Sequence, residues 1–503
     1  MTIPETQAPA PPPASGLARE MGLLGLVATG VCSMIGAGIN VIPFMIQRHV
    51  PGIGPNVLPA FLFAALPAVL AGLAYAVLAS AMPRAGGSYV YASRGLNPYL
   101  GFVASFSQWF SLCVAIGVVS YLIVPFLRDI AVAAGSTAVA ATLEAAPIRL
   151  TISLAFLWAA VFVNVRGVKV YERLIVPLMF LTFILGGVVI VAGFSFDHLD
   201  FAAALQAREG RAVVAVAAPP LPLSVLLPAS ALLFASFIGF DSIAQAGGEA
   251  RRPGRNLPLA IGICVASVGI FYMLFTGAVY HAVPWQFIAA EAQHRDLTAP
   301  GLLGYLLPPA WTVLIASGAA VALIKDLPAM LLGVSRLMFA WAEDGIFPRA
   351  IAAVHPRFRT PHVAVLASAV MATLGIVGSH VAGDFFLGVD ILVTSMLVNF
   401  LLMAVSVLTL PARNAALARK VTVLPSRAAQ LPLAVAAIVV LAVFLGVHTW
   451  RDLTAPAAAW YLRSTPLWLV VMAAASILYR RETQKLRRQG VDLDARFAAL
   501  PPG

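Results

Sequence analysis

Charged residues are scarce in this sequence. Only 11% of its 503 residues are Asp, Glu, Lys or Arg, whereas soluble globular chains carry about 25%. Hydrophobic residues make up 61%, and the mean hydropathy is +0.92. So few charges cannot cover several soluble domains, and the composition therefore indicates an integral membrane protein with many spans.

Cysteine is also rare, and its positions exclude two kinds of site. The three cysteines, Cys32, Cys113 and Cys264, lie inside apolar runs, so the sequence has neither a disulfide framework nor a zinc-ligand spacing. All histidines fall in loops or near the ends of apolar runs, and no catalytic or nucleotide-binding motif stands out. Repeated filter loops, which a channel would need, are missing too. We therefore expect neither an enzyme nor a metal or cofactor site.

Twelve apolar runs are long enough to cross a hydrocarbon core of roughly 30 Å. They lie near residues 22–46, 55–82, 97–127, 148–165, 171–194, 222–248, 257–281, 305–341, 361–379, 385–410, 430–448 and 460–480. The Pro- and Ala-rich first twenty residues lack the basic and apolar regions of a signal peptide. Their composition predicts a disordered tail.

The basic residues are unevenly divided between the two sides of this predicted bundle. Most of the 32 Lys and Arg residues lie on the side that holds both termini. The positive-inside rule then predicts cytoplasmic termini in a multi-pass protein of the plasma membrane. The same distribution explains the net charge of +11 as a topology signal with attraction to anionic lipid, so no nucleic-acid partner is expected.

Two of the apolar runs contain glycine where a continuous helix would be expected. Gly36 and Gly38 interrupt the first run, and Gly239 interrupts the sixth, close to Asp241. Close helix packing is one explanation. However, the two runs open successive groups of five, a pattern typical of inverted-repeat transporters. Breaks of this kind expose N–H groups that attract a carboxylate and C=O groups that attract a cation.

Four motifs make a family resemblance specific. They are SMIGAGI (33–39), MPRAGGSYVYASRGL (82–96), FASFIGFDSIAQAGGEARRPGRNLPLAI (234–261) and SRLMFAWAEDGIFPRAIAAVHPRFRTP (335–361), with NVRGVKVYE (164–172) as a weaker fifth. On these segments the chain resembles an amino acid permease of the amino acid–polyamine–organocation (APC) transporter family. The resemblance implies an all-α integral membrane fold with 12 transmembrane helices and a LeuT-like core of two inverted five-helix repeats, in which helices 1 and 6 are discontinuous.

The resemblance also divides the chain into segments. It implies a ten-helix transport core at 21–410 with repeats at 22–194 and 222–410, and two peripheral helices at 411–480. Composition and charge distribution predict a disordered cytoplasmic tail at 1–20 and a cytoplasmic tail at 481–503.

The substrate position is a further implication of the resemblance. The substrate α-carboxylate would meet the backbone of Ser33, Met34, Ile35, Gly36, Ala37 and Gly38. The α-amino group would face carbonyls at the second break, around Phe234, Ala235, Ile238 and Gly239. Because Ala235 and Asn40 stand where similar proteins often have aromatic residues, we expect a roomier pocket that favours a larger or more polar side chain.

Two ionisable residues are candidates for proton coupling. Asp241 stands where similar exchangers have a glutamate linked to proton sensing, and ionisable residues inside the membrane are usually functional. We expect it to titrate during transport; alternatively, local N–H groups fix its charge.

Several relatives carry a lysine on helix 5, at a place that corresponds to the region near Thr182 in this chain. In sodium-coupled proteins the sodium ion is held at that place. We expect Lys325 to supply the positive charge there from span 8; alternatively, Lys325 and Asp326 simply pack against a cavity.

These features together predict a secondary active transporter of amino acids or related amines. It would work by alternating access, with proton symport or exchange. The alternatives are a sodium-coupled amino acid or polyamine transporter and a transporter-like amino acid sensor. Charged clusters on the cytoplasmic side could latch a gate, but we expect most of them to be solvated topology signals; they are Arg84, Glu249, Arg251, Arg252, Arg255, Glu343 and Asp344.

Overall fold

A computed structural model describes residues 16–382, 386–455 and 460–501, so residues 1–15 of the predicted N-terminal tail lie outside the described part. Within that part the chain is helical, with two isolated β-bridges. The helices of the first half are α1 (Leu23–Met34), α2 (Ala37–His49), α3 (Val57–Ala81), α4 (Gly87–Gly95), α5 (Pro98–Ala133), α6 (Thr137–Glu144), α7 (Ala146–Val165), α8 (Val168–Ser195) and α9 (His198–Glu209).

The second half is also built of helices. Its helices are α10 (Leu223–Leu233), α11 (Asp241–Gln245), α12 (Pro253–Ala282), α13 (Trp285–Ala292), α14 (Ala299–Leu303), α15 (Pro309–Glu343), α16 (His362–Ala382), α17 (Phe386–Arg413), α18 (Ala415–Ala418), α19 (Arg427–Thr454), α20 (Ser464–Arg488) and α21 (Leu493–Ala498). A 3-10 turn at Phe234–Phe237 separates α10 from α11.

Ten helices among the described residues are long and apolar enough to cross a membrane, judged by length and composition. The α1–α2 pair counts as one of them. The other two predicted spans differ for physical reasons. The sixth, near 222–248, is broken, so that its apolar helical part covers only Leu223–Phe237. The twelfth is the first part of α20, whose last turns carry Lys485, Arg487 and Arg488.

Burial separates the centre of the bundle from its rim. The apolar window of α1–α2 is 94% buried, and those of α5 and α15 are each 72% buried. In contrast, the windows of α7, α8 and α19 are only 28% buried, which leaves broad apolar faces for lipid. α5 packs against α15, α16 and α17, while α1 packs against α8, α12 and α15. The broken first helix therefore lies in the centre of the bundle.

α5 runs the full length of the bundle and defines its two ends. Its 36 residues span about 54 Å at 1.5 Å per residue. It begins at the tail face, which is the end where residues 493–501 lie. There Arg94 Nε donates to the Ala499 carbonyl at 3.0 Å, and Arg84 Nε donates to the Pro501 carbonyl at 3.0 Å. α5 finishes at the opposite end, the vestibule face.

Candidate functional site

The first helix is broken at Gly36, as predicted from the glycines. α1 ends at Met34 and α2 begins at Ala37, with Ile35 (φ −82°, ψ 84°) and Gly36 (φ −126°, ψ −135°) between them outside the helical region. A helix end leaves its terminal backbone groups without intrahelical partners. The break therefore presents carbonyls from the end of α1 and N–H groups from the start of α2 at the centre of the bundle.

The second break contacts the first one directly. After the 3-10 turn, Ile238 is extended and Gly239 adopts φ +136°, a conformation that favours glycine. A Cβ at Gly239 would lie 2.4 Å from the Ser33 carbonyl oxygen, so a side chain would push the breaks apart. The Ser33 and Ser242 hydroxyls are hydrogen-bonded at 3.1 Å. The sequence therefore predicted both interruptions correctly.

A cavity of about 80 Å³ lies between the two breaks. Six of the ten predicted substrate-binding residues line it: Ser33, Met34, Gly36, Gly38, Ala235 and Ile238. Ile35, Phe234 and Gly239 do not line it, and the side chain of Ala37 is outside the described part of the structure. The remaining wall is mainly apolar and comes from α5 and α17, including Leu112, Val119 and Leu392. The cavity is thus mostly apolar, with polar groups at the helix breaks.

Two polar side chains in this cavity were missed as site residues. Asp326 of α15 is 5% exposed, and its Oδ1 has no hydrogen-bond partner among the described residues. Ser236, in the turn of the second break, is 2% exposed, and its Oγ is also unpartnered within the described part. The signal in the sequence was that Asp326 is a carboxylate at membrane depth. It was interpreted only as the neighbour of Lys325, not as a site residue.

Lys325 contacts the end of α1, on the first break. The fully buried side chain donates from Nζ to the Ile35 carbonyl at 2.6 Å and to the Cys32 carbonyl at 3.3 Å. A cation at the C-terminal end of a helix is favoured by the helix dipole. Tyr272, which sequence reasoning did not identify, donates its hydroxyl to the Met34 carbonyl at 2.5 Å. Lys325 and Tyr272 therefore satisfy the carbonyls of Cys32, Met34 and Ile35 at the break.

Asp241 lies outside the cavity, in a buried hydrogen-bond network. It is fully buried; its Oδ1 accepts the Gly239 N–H at 3.1 Å, and its Oδ2 accepts from Gln108. Gln108 Oε1 in turn accepts from Gln245 and Asn399, each at 3.3 Å. The network continues through Ser88 and Tyr75. Asp241 is thus linked to four other helices, namely α3, α4, α5 and α17.

Asn40 does not enlarge the cavity as expected. It lines a separate small space together with Thr182, between α2, α8, α12 and α15. Its Nδ2 donates back to the Gly36 carbonyl at 3.4 Å. Ala235 does line the central cavity. Among the described residues, no group of three or more His, Cys, Asp or Glu is placed to hold a metal ion.

Two buried ion pairs lie toward the tail face. Arg336 binds Glu249 through two hydrogen bonds of 3.0 and 2.6 Å, with both side chains at most 1% exposed. Arg94 binds Asp344 in the same bidentate way, at 2.6 and 2.9 Å, with 0% and 4% exposure. Glu249 and Asp344 are therefore two members of the predicted charged clusters that are buried in ion pairs, whereas Arg251, Arg252 and Arg255 of the same clusters are largely exposed. The arginine partners lie 87 and 250 residues away along the chain, so the sequence did not reveal these pairs.

The opposite side of the cavity has a wide approach. A vestibule of about 680 Å³ opens at the vestibule face and is lined by Arg128, Arg149 and Asp296 among others. Val118 and Leu122 line both this vestibule and the central cavity. The site is therefore separated from the vestibule by few side chains, while ion pairs and the C-terminal residues close the tail face.

Comparison with known proteins gives one match over most of the chain and several shorter ones. A family described as "Amino acid permease" matches residues 21–474. An uncharacterized transporter of Mycobacterium tuberculosis is 38% identical over 151 residues, which cover 30% of this chain and 33% of that protein. The branched-chain amino acid permease of Bacillus subtilis is 30% identical over 31% of this chain and 32% of its own length. The human cationic amino acid transporter 4 is 33% identical over 29% of this chain and 22% of its own length. The matched segment thus spans about a third or less of these relatives.

Proposed function

Because this chain belongs to the amino acid permease family, we propose that it is a secondary active transporter that moves amino acids or related amines across the plasma membrane by alternating access. The resemblance drawn from the sequence motifs is confirmed by this family membership, and the family consists of permeases rather than enzymes. The observation that carries the proposal is the cavity between two broken helices, approached from one face and closed at the other. A site with such one-sided access is what alternating access requires.

The proposed architecture has twelve spans, with the ten-helix core arranged as two inverted five-helix repeats. Support comes from the broken segments, since α1–α2 and α10–α11 open the two halves and contact each other. The tail face is proposed to be cytoplasmic, because basic residues are concentrated in the segments on that side.

The two helix breaks suit the two charged ends of an amino acid. The N–H groups of the first turn of α2, around Gly38, favour a carboxylate. Backbone carbonyls of the turn around Phe234 and Ala235 favour an ammonium group. The apolar wall then receives the substrate side chain. Relatives named for branched-chain and for cationic amino acids make both classes reasonable first substrates to test.

Lys325 supports coupling that does not use sodium. Its ammonium group donates to the Cys32 and Ile35 carbonyls, the kind of oxygen ligands that would bind a sodium ion at a helix break. With a fixed cation there, a second cation would be repelled. The driving force is then a proton gradient, with Asp241 as the titrating group, or exchange against internal substrate.

Uptake into proteoliposomes tests the proposed function. We expect radiolabelled L-leucine or L-lysine to accumulate under an inward proton gradient or against internal amino acid, with no stimulation by an inward sodium gradient. Accumulation driven by sodium would instead favour the sodium-coupled alternative. Binding of the same amino acids without any uptake would favour a sensor. Absence of both binding and uptake across an amino acid and polyamine panel would contradict the proposal.

Replacing Asp241 with asparagine tests proton coupling. Asparagine keeps an oxygen for the Gly239 N–H but cannot carry a proton on and off. We expect the response of uptake to the proton gradient to fall by about tenfold or more, in the range of usual coupling free energies between sites. The matched control is Asp452→Asn, because Asp452 is a buried aspartate of the peripheral helix α19 that binds the Ser464 and Thr465 N–H groups. Unchanged uptake with unchanged pH dependence in Asp241→Asn would mean that Asp241 keeps a fixed charge.

A further inference from the structure

The central cavity contains a carboxylate without a partner. Asp326 is 5% exposed and lines the cavity, and no described residue forms a hydrogen bond with its Oδ1. Its sequence neighbour Lys325 donates to the carbonyls of Cys32 and Ile35, and no hydrogen bond or ion pair joins it to Asp326 within the described part of the chain. Because a buried charge is strongly unfavourable unless it is paired, this carboxylate is poised for a cationic group that comes from within the cavity.

The carboxylate lies directly against the break in the first helix. A Cβ added to Gly36 would be 2.1 Å from Asp326 Oδ2, so glycine is what allows the two to approach. In the same cavity, a Cβ on Gly38 would be 3.3 Å from Ser236 Oγ. That hydroxyl is 2% exposed and unpartnered within the described part of the chain. Two side chains that each carry an unpartnered oxygen, Asp326 and Ser236, therefore lie against the start of α2.

We propose that Asp326, helped by the Ser236 hydroxyl, binds the α-ammonium group of the substrate. This inference rests on the proposed function and adds a charged partner to a site that otherwise offers only backbone carbonyls. The location selects the α-amino group over a distal amine. In an α-amino acid the carboxylate and the ammonium share one carbon atom, and Asp326 touches Gly36, beside the N–H groups that receive the carboxylate.

A charged acceptor at this point makes the amine essential for binding. An acid without an α-amino group would bring its carboxylate close to Asp326 with nothing to separate the two negative charges. Like charges brought together in a buried site oppose binding of the wrong ligand. The site should therefore discriminate between amino acids and the corresponding carboxylic acids.

The test compares ligand binding to the purified full-length protein. The probes are L-leucine with 4-methylpentanoate, and L-lysine with 6-aminohexanoate, which keeps the distal amine and lacks the α-amine. In the wild-type protein we expect each amino acid to bind about 100-fold more tightly than its partner acid. This factor corresponds to the binding free energy lost with one charge-assisted hydrogen bond. Asp326→Asn should remove most of this preference by weakening the amino acid alone, and Ser236→Ala should reduce it by a smaller factor. Asp452→Asn should keep it.

Three outcomes would overturn the inference. One is equal affinity of the wild-type protein for an amino acid and its acid, a comparison that needs no variant to fold. The second is an Asp326→Asn protein that loses affinity for both ligands by the same factor, as expected of a purely structural residue. The third is loss of affinity for L-lysine together with unchanged affinity for L-leucine, which would assign Asp326 to a distal amine. In each case transport of amino acids would survive, whereas failure of the proposed function would appear as no amino acid binding at all.

Discussion

Lys325→Ala is expected to abolish uptake in the absence of sodium. The substitution removes the ammonium group from two carbonyls of the first helix break, at Cys32 and Ile35, in a fully buried place. A hydrogen bond from a charged donor contributes about 1.5–3 kcal/mol. Two such bonds are lost, so uptake should fall by about 100-fold or more, since each 1.4 kcal/mol is tenfold.

The same variant should gain a response to sodium. Once the fixed cation is gone, the two carbonyls offer oxygen ligands to a small cation. We therefore expect part of the lost uptake to return as external sodium is raised, while potassium at the same ionic strength has no such effect. Uptake assays of wild-type and Lys325→Ala proteoliposomes in the two salts measure this difference.

Controls separate this role from a general loss of folding. Lys325→Arg keeps the charge and should retain more uptake than Lys325→Ala. Lys169→Ala removes a lysine that is 63% exposed and pairs with Glu20 at the protein surface, so uptake should stay at the wild-type level. Unchanged uptake in Lys325→Ala, or an unaltered sodium response, would refute the proposed role of Lys325.

The sequence predicts the helix breaks well because their cause is local. Gly36, Gly38 and Gly239 interrupt apolar runs, and no other residue type accepts the φ of +136° found at Gly239 so easily. The place of Lys325 at membrane depth is also evident from the sequence. Its carbonyl partners are not, because they lie 290 and 293 residues away along the chain.

Which residues line the cavity depends on how each helix is rotated. Neighbouring residues on a helix point about 100° apart, and this separates Lys325, which binds the end of α1, from Asp326, which lines the cavity. A small error in rotation likewise explains Asn40, which lines a neighbouring space. A single sequence indicates that these side chains lie at membrane depth, but not which face of the helix meets the substrate.

Separating Arg336 from Glu249 is expected to be the most destabilising change at the tail face. The two side chains are at most 1% exposed and share two hydrogen bonds. Removing one member of a buried ion pair costs about 3–5 kcal/mol, because the other charge is left without a partner, whereas replacing both is often far less harmful. We therefore expect Glu249→Gln and Arg336→Gln each to lower the free energy of unfolding by about that amount, and the double variant to lose less than the sum.

A double-mutant cycle on the detergent-solubilised protein measures this coupling, with Arg128 and Glu144 as the matched control pair. Those side chains are 38% and 44% exposed, and exposed pairs contribute about 0–1 kcal/mol to stability.

Substrate binding and transport give a second measurement, since the tail face must open in each cycle of alternating access. A folded double variant should open more readily there and bind substrate from the vestibule less tightly, because the state closed at the tail face is less populated. If the Arg336–Glu249 cycle gives no more coupling energy than the exposed pair, this ion pair does not hold the tail face closed. The Arg94–Asp344 pair, together with the C-terminal residues that pack on it, would then be the next contact to test.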